Sequence, residues 1–434
     1  MSGWLLLGLP GALYVSGLVE AWIGIGLFVG ALVNWIVVAP RLREQTEALG
    51  NALTIPEFLA NRFPDRATAL RVSSAIVIVL FFAVYTAAGL VGGGKLFQSS
   101  FAAIFDGWDV STYLAGIWIT AGVVVAYTMV GGFLAVSLTD FVQGCIMVVA
   151  LVLMPLVILM DLGAGEEMAS TLRAVDPDFL SLFGGLTFVG FLSAVTWGLG
   201  YFGQPHIIVR FMAIRSVREV ATARNIGMIW MGVALIGALG VGIAGRALVE
   251  SQGLVLEDSE TIFILLANTL FHPLITGFLL AALLAAIMST ISSQLLVASS
   301  SLTEDFYRLF LRKNASEREA VTVGRICVLL VALVAIVIAS DPESEVLGLV
   351  SNAWAGFGAA FGPLIILALT SNRMTGTGAV AGLVTGAAVV FGWIASGLGE
   401  ATGLYEIIPG FIASWIAIEV VSAMTQRGAE AAAA

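Results

Sequence analysis

Hydroxyl and amide side chains cluster in one otherwise apolar stretch, from Met288 to Gln294. Ser289 pairs with Ser293, and Thr290 with Gln294, at the i, i+4 spacing that places side chains on one face of a helix. Hydroxyl and carbonyl oxygens are hard ligands that suit an alkali cation. One interpretation is therefore a cation site. The other is that the hydroxyls bond their own i−4 carbonyls and help helices to pack, and the residues leave both open.

A second stretch, Thr196 to Pro205, contains three glycines followed by a proline. A backbone carbonyl freed by a helix break inside hydrocarbon is costly unless it lines a site. The pattern therefore favours a helix interrupted at membrane depth, with Trp197, Tyr201 and Pro205 on one stripe. A glycine-rich packing face with aromatic filler is the alternative. The G-x-G-x-x-G pattern here follows no β-strand, so a dinucleotide site is not expected.

Membrane helices must position these residues, because the composition excludes a soluble protein. The 434 residues are 59% hydrophobic and only 11% charged, with a mean hydropathy of +1.02, whereas soluble domains are about a quarter charged. The net charge of −10 excludes a nucleic-acid binder. Long uncharged runs such as Ala21–Pro40 exclude an outer-membrane barrel, whose residues alternate. We count about twelve hydrophobic segments, which predicts an all-α polytopic membrane protein with a single transmembrane domain.

Most of the 19 Lys and Arg residues fall in every second connection and at the C-terminus. The alternate connections hold only Lys95, Arg173 and Arg246, and they collect acidic residues instead. The positive-inside rule then predicts that the basic connections and the C-terminus are cytoplasmic. Asp140 lies about two turns into its helix, where an interfacial role and a buried ion role are both open.

Four internal runs resemble the sodium/solute symporter family, and within it the proline-transporting members. The runs are Gly131–Asp140, Trp197–His206, Ala286–Thr290 and Trp354–Pro363. The opening Met1–Leu6 and the late Leu404–Gly410 carry the same resemblance. It covers essentially the whole chain, and the tryptophan, tyrosine and proline of the second run are its most specific part.

The resemblance implies a five-plus-five inverted-repeat (LeuT-type) helical bundle with extra C-terminal helices. Repeat one would be approximately 1–160 and repeat two 179–372, followed by two peripheral helices in 374–426. The low-complexity composition of 428–434 separately predicts a disordered tail. The first and sixth helices would be the broken ones, which agrees with the break at Thr196 to Pro205 and with a midplane site between the repeats.

The resemblance also implies the roles of individual residues. Sodium would be bound by Met1, Ala286, Ser289 and Thr290. Substrate would be bound by Ser2, Gly3, Trp197, Tyr201, Gln204 and Pro205. Residues linked to gating or to the ion would be Tyr127, Asp140 and Gln294.

The implied function is Na+-coupled secondary active uptake of L-proline by alternating access, in the bacterial cytoplasmic (inner) membrane. Its partners would be L-proline, Na+ and the lipid bilayer, with no nucleic acid and no obligate protein partner. Because the family has one and a half more helices before the position of Met1, we expect the chain to be N-terminally truncated, and an inactive fragment is one alternative. A symporter for another small amino acid or carboxylate is the second. An intramembrane enzyme is disfavoured, because paired intramembrane carboxylates and a histidine cluster are lacking.

Overall fold

The structure is a computed structural model that describes residues 2–107, 109–162 and 165–433. Over those ranges the chain contains helices and connections and no strand. This is the architecture expected of a chain in lipid, where every backbone polar group must find a partner within the protein. The α-helices of the described ranges are α1 Gly8–Ser16, α2 Ala21–Ala48, α3 Ile55–Arg62, α4 Ala67–Phe101, α5 Thr112–Leu162, α6 Glu166–Val175, α7 Phe188–Val195, α8 Pro205–Met212, α9 Val220–Gln252, α10 Ile262–Leu270, α11 Pro273–Ser300, α12 Glu317–Ala339, α13 Val346–Thr370, α14 Gly376–Ala395, α15 Leu398–Thr402 and α16 Ile407–Ala433.

Ten helical stretches of the described chain are long and apolar enough to cross a membrane. The sequence predicts about twelve segments, and this count does not confirm that number. One physical reason is that the first stretch, Gly3–Ala48, contains both α1 and α2, which a short 3₁₀ turn joins at Gly17. The other is that the apolar helix Phe188–Phe202 is interrupted and too short to count.

The first helix is broken near its start. A 3₁₀ turn over Gly3–Leu5 precedes α1, and the Ser2 hydroxyl caps this turn by accepting a hydrogen bond from the Trp4 N–H at 3.3 Å. Helix α1 begins only at Gly8. The break predicted for the first helix therefore lies within the first seven residues.

The membrane helix that the resemblance counts as the sixth, formed here by α7 and α8, is broken as well. Helix α7 ends at Val195, a 3₁₀ segment follows over Thr196–Phe202, Gln204 is extended, and Pro205 opens α8. Proline suits this position because the first turn of a helix does not use its N–H. The predicted interruption is thus present in the structure.

The glycines of this break also serve packing. Gly198 touches the backbone of Gly26 and Gly30 on α2, and Gly203 touches Phe357 and Gly358 on α13. A side chain at either glycine would enter the neighbouring backbone. The 3₁₀ segment is therefore held between α2 and α13, and the two interpretations of the sequence, an interrupted helix and a glycine packing face, both apply.

The last helices pack on α13. Gly382 on α14 contacts Ile418 on α16, and Gly386 and Gly410 both contact Ala359 on α13. Helix α16 continues to Ala433, whereas the sequence predicts a disordered tail over 428–434. The physical reason for this difference is that the tail is rich in alanine, the strongest helix former.

Substituting Gly30→Ala should destabilise the fold, because the new methyl group would enter the backbone of Gly198. Overpacking of this kind costs about 1–3 kcal/mol. We expect a lower unfolding temperature for the purified protein. The matched control is Gly122→Ala in α5, where a methyl group would meet open space and alanine should be neutral or stabilising by up to about 1 kcal/mol. Equal unfolding temperatures for the two variants would show that close packing of Gly30 on Gly198 does not hold the 3₁₀ segment between α2 and α13.

Candidate functional site

A cavity of about 620 Å³ lies between the two broken helices. The residues predicted for ion or substrate binding that line it are Ser2, Trp197, Tyr201, Ala286, Ser289 and Thr290, and Asp140, predicted for gating or linkage to the ion, lines it too. Its walls come from helices far apart in the sequence, including α2, α5, α11 and α13. The cavity is large enough for an amino acid together with water.

The other predicted residues lie outside this cavity. Gly3 packs against Ile287, and Gln204 and Pro205 are buried behind the break. Tyr127 on α5 bonds to α11, and Gln294 lies on α11 itself; neither residue lines the cavity. Met1 lies outside the described residues.

Three oxygens converge on one turn of α11. The Ser289 hydroxyl donates to the Ala286 carbonyl at 3.1 Å, and the Thr290 hydroxyl donates to the same carbonyl at 3.2 Å. These are the i−3 and i−4 contacts that the packing interpretation predicts. Both hydroxyls, however, also line the cavity. Because a hydroxyl proton can rotate, the same oxygens can turn their lone pairs toward a cation in the cavity.

Aromatic rings cover one side of the cavity. Trp4 stacks on Trp197 with 5.7 Å between ring centroids, and Trp197 stacks on Tyr405 at 5.2 Å. Tyr201 meets Trp354 edge to face at 5.0 Å. We call Trp4, Trp197 and Tyr405 the aromatic stack. Together these rings form an apolar surface that suits a small saturated ring.

Side chains of the neighbouring helices bond the carbonyls at the break. Asn34 on α2 donates through Nδ2 to the Tyr201 carbonyl at 3.0 Å, and the Trp354 indole N–H donates to the Trp197 carbonyl at 2.7 Å. Gln204 donates in return to the Trp354 carbonyl at 3.2 Å. Gln204 thus connects the break to α13.

An ion pair borders the cavity on the side of the basic connections. Arg210 on α8 donates to Asp140 Oδ2 at 2.6 Å, and Ser293 donates to the same oxygen at 3.1 Å. Asp140 is therefore paired in this structure, so that the sixth helix is tied to α5 and α11. Tyr127 adds a further connection by donating to the Met288 carbonyl at 2.8 Å.

A buried charge network lies on the opposite side, among the acidic connections. The ammonium of Lys95 on α4 lies 2.8 Å from Glu260 and 2.7 Å from Asp258. The Glu260 carboxylate also accepts the backbone N–H groups of Val346 and Leu347 at the start of α13, at 2.8 and 2.7 Å. A carboxylate at a helix N-terminus is electrostatically favoured. This network therefore joins α4, the connection before α10, and α13.

Sequence reasoning did not find several of these residues. Asn34 left a signal, since it is the only amide or hydroxyl side chain in the uncharged run Ala21–Pro40. Arg210 and Lys95 were counted only as charges of connections. Trp354 belonged to a family motif without an assigned role.

Comparisons with known proteins show which family and which relatives this chain is similar to. The sequence model described as "Sodium:solute symporter family" matches residues 1–386. The high-affinity proline transporter PutP of Bacillus subtilis is 54% identical, with 99% of this chain and 89% of the relative aligned. The sodium/proline symporter of Staphylococcus aureus is 52% identical, with 98% and 83% aligned.

Solved structures show the same fold. A Na+-coupled sialic acid symporter in a substrate-bound, outward-open state superposes with a TM-score of 0.76 at 19% identity, over 98% of this chain and 87% of the other. MhsT in complex with L-phenylalanine superposes with a TM-score of 0.51 at 17% identity, over 96% of this chain and 97% of the other. At these identities the likeness concerns the fold alone.

We expect the Lys95 network to block access to the cavity from the side of the acidic connections. Glu260→Gln should weaken this block, because it leaves the buried Lys95 ammonium with one carboxylate fewer. Removing one partner of a buried ion pair costs about 3–5 kcal/mol. The measurement is labelling of a cysteine at Ser2 by a membrane-impermeant thiol reagent, in a background in which Cys145 and Cys327 are replaced. We expect labelling from the acidic side to become about tenfold faster or more.

The matched control for this prediction is Glu250→Gln. Glu250 pairs with Arg246 at 2.8 Å near the same end of the bundle but is more exposed. We expect its substitution to leave the labelling rate unchanged. Equal rates for the Glu260 variant and the parent would show that the network does not close this side.

Proposed function

The chain belongs to the sodium:solute symporter family, and from this premise we propose that it couples Na+ entry to the uptake of L-proline by alternating access. One observation carries the proposal: the oxygens of Ala286, Ser289 and Thr290 and the rings of Trp197 and Tyr201 border the same cavity between two broken helices. Sites of this kind, at the interface of two repeats, are typical of secondary transporters. Relatives at 54% and 52% identity that are named as proline transporters support the choice of substrate.

The ion gradient is sufficient for such coupling. A membrane potential of 100 mV contributes about 2.3 kcal/mol per Na+, and a tenfold concentration gradient adds about 1.4 kcal/mol. Together they support accumulation of roughly several hundred-fold per coupled ion.

We assign Na+ to the carbonyl of Ala286 and the hydroxyls of Ser289 and Thr290, with a further carbonyl from Met1. Hard oxygen ligands without a carboxylate bind an alkali cation weakly enough for release. When Na+ arrives, the two hydroxyl protons turn away from the Ala286 carbonyl. The loss of these two hydrogen bonds is offset by the coordination of the ion.

We assign the substrate carboxylate to the backbone N–H groups at Ser2, which lines the cavity, and at the adjacent Gly3 behind it, where the first helix is broken. Trp197 and Tyr201 pack against the pyrrolidine ring. Gln204 and Pro205 act from behind the cavity by shaping the break. Tyr127, Asp140 and Gln294 make hydrogen bonds between α4, α5, α8 and α11, and we assign them to gating.

The same proposal covers topology and location. Residues 1–160 and 179–372 form the two repeats and 374–426 the peripheral helices. The basic connections and the C-terminus face the cytoplasm of a bacterium, and the protein lies in the inner membrane. The cavity then extends toward the cytoplasm, because Arg210 and Ile226 line it, while the Lys95 network closes the outer side. The chain is a transporter and performs no covalent chemistry.

Ser289→Ala should raise the Na+ concentration that gives half-maximal proline uptake, because it removes one ion ligand. A hydrogen bond or contact to a charged partner contributes about 1.5–3 kcal/mol, so the shift should be about tenfold or more. The measurement is uptake of labelled proline against Na+ concentration in cells that lack their own proline uptake. Ser299→Ala is the matched control, because Ser299 lies on the same helix and donates to the Gly324 carbonyl away from the cavity. The same shift in both variants would remove Ser289 from the ion site.

Trp197→Leu should raise the KM for proline while uptake remains Na+-dependent, because the pyrrolidine ring of the substrate loses its contact with the indole. Aromatic contacts contribute about 0.5–1.5 kcal/mol beyond their buried area, so a rise of about threefold to tenfold or more is expected. Trp415→Leu on α16 is the control, since Trp415 stacks on Phe411 and does not line the cavity. An unchanged KM for proline in the Trp197 variant would argue for a different substrate.

A further inference from the structure

Asn34 lies on the wall of the cavity, in the middle of α2. Only 1% of its surface is exposed, and it is the single amide or hydroxyl side chain in the run Ala21–Pro40. An amide of this kind within a membrane helix is costly unless both ends of the amide are bonded. The site as assigned so far gives Asn34 no role toward the substrate.

The orientation of the Asn34 amide follows from its one partner. Its Nδ2 lies 3.0 Å from the Tyr201 carbonyl, and only the nitrogen end of an amide can donate to a carbonyl. The oxygen end therefore points away from Tyr201. This Oδ1 is buried and has no hydrogen-bond partner among the described residues. A buried acceptor that stays unbonded costs about 1–3 kcal/mol.

Because Asn34 lies on the wall of the cavity, an N–H donor that reaches this wall from the cavity would satisfy the oxygen. The proposed substrate carries one, because the ring nitrogen of a cyclic amino acid is a secondary ammonium with two N–H groups. Two carbonyls of the break already accept a hydrogen bond, the Tyr201 carbonyl from Asn34 and the Trp197 carbonyl from Trp354. Gln143 also lines the cavity and its Oε1 has no partner among the described residues, but it lies on α5 and makes no bond to the break. The Asp140 carboxylate also lines the cavity and has one unpaired oxygen, but its charge is balanced by Arg210 at 2.6 Å.

We propose that Asn34 is a substrate-binding residue whose Oδ1 accepts a hydrogen bond from the ring ammonium of a cyclic secondary amino acid. The inference rests on the proposed function and deepens it, because it names the residue that recognises the nitrogen of the substrate. Asn34 then has two partners at once, the Tyr201 carbonyl and the substrate. Binding of the substrate nitrogen is thereby connected directly to the break of the sixth helix.

Two substitutions separate this role from a purely structural one. Asn34→Asp keeps an oxygen acceptor at this position, whereas Asn34→Leu removes both the acceptor and the donor. If Asn34 only clamps the Tyr201 carbonyl through Nδ2, the two variants lose the same amide donor. If Oδ1 receives the ammonium, the aspartate retains binding and the leucine loses it.

The measurement is binding of L-proline to the purified protein at saturating Na+, compared with tetrahydrofuran-2-carboxylate, in which an ether oxygen replaces the ring nitrogen. We expect Asn34→Leu to weaken proline binding about tenfold or more and to leave the oxygen analogue unchanged. We expect Asn34→Asp to stay within about threefold of the parent for proline and to keep the preference for nitrogen. Unfolding temperatures of both variants report on folding.

Asn268→Asp and Asn268→Leu form the matched control pair, because Asn268 is an exposed asparagine that also donates one hydrogen bond, to Ser100 at 3.2 Å. Neither should change the binding of proline or of the analogue. Equal weakening of proline binding by the two Asn34 variants would overturn the inference, as would an equal loss of proline and of the analogue in Asn34→Leu. A parent chain that binds no proline would instead overturn the proposed function, and the inference with it.

Discussion

A carbonyl that loses its helical partner inside a membrane must be bonded by another group, and the centre of this protein depends on that constraint. At the break of the sixth helix, Asn34 bonds the Tyr201 carbonyl and Trp354 bonds the Trp197 carbonyl. The partners come from α2 and α13, which also receive the glycines of the break. The break, its two neighbours and the cavity wall are therefore one structural unit, and none of them can move far without the others.

The two charge networks, among the acidic connections and beside the basic ones, are buried to different degrees. On the acidic side, the Glu260 carboxylate satisfies an ammonium and two backbone N–H groups at once, and both charged groups are almost fully buried. On the basic side, the Asp140–Arg210 pair borders the cavity, and the arginine is 41% exposed. Separating the first network leaves buried charges without partners, whereas water can replace the partners of the second. The network among the basic connections should therefore separate more easily than the one among the acidic connections.

The sequence predicted much of this arrangement, and the residues that it did not predict were missed for physical reasons. Glycine and proline mark a break through backbone chemistry, so the interruption at Thr196 to Pro205 was readable. The hydroxyls at Ser289 and Thr290 were readable as oxygen ligands, and the structure places both on the cavity. Asn34 and Trp354 were missed because their role is to bond carbonyls of a distant segment, which composition and periodicity do not encode. Lys95 and Glu260 were missed because loop charges read as solvated until the fold buries them.

The aromatic stack extends beyond the cavity to Tyr405, a residue late in the chain. Tyr405 lies in the connection before α16, donates its hydroxyl to the Ser351 carbonyl at 2.9 Å, and is held by Ser193 through its backbone N–H at 3.0 Å. Beside the direct packing of α14 and α16 on α13, the Tyr405 ring therefore gives the late part of the chain a contact with Trp197, which lines the cavity. A hybrid transporter made by exchanging these helices would inherit part of its selectivity from the donor of the last segment.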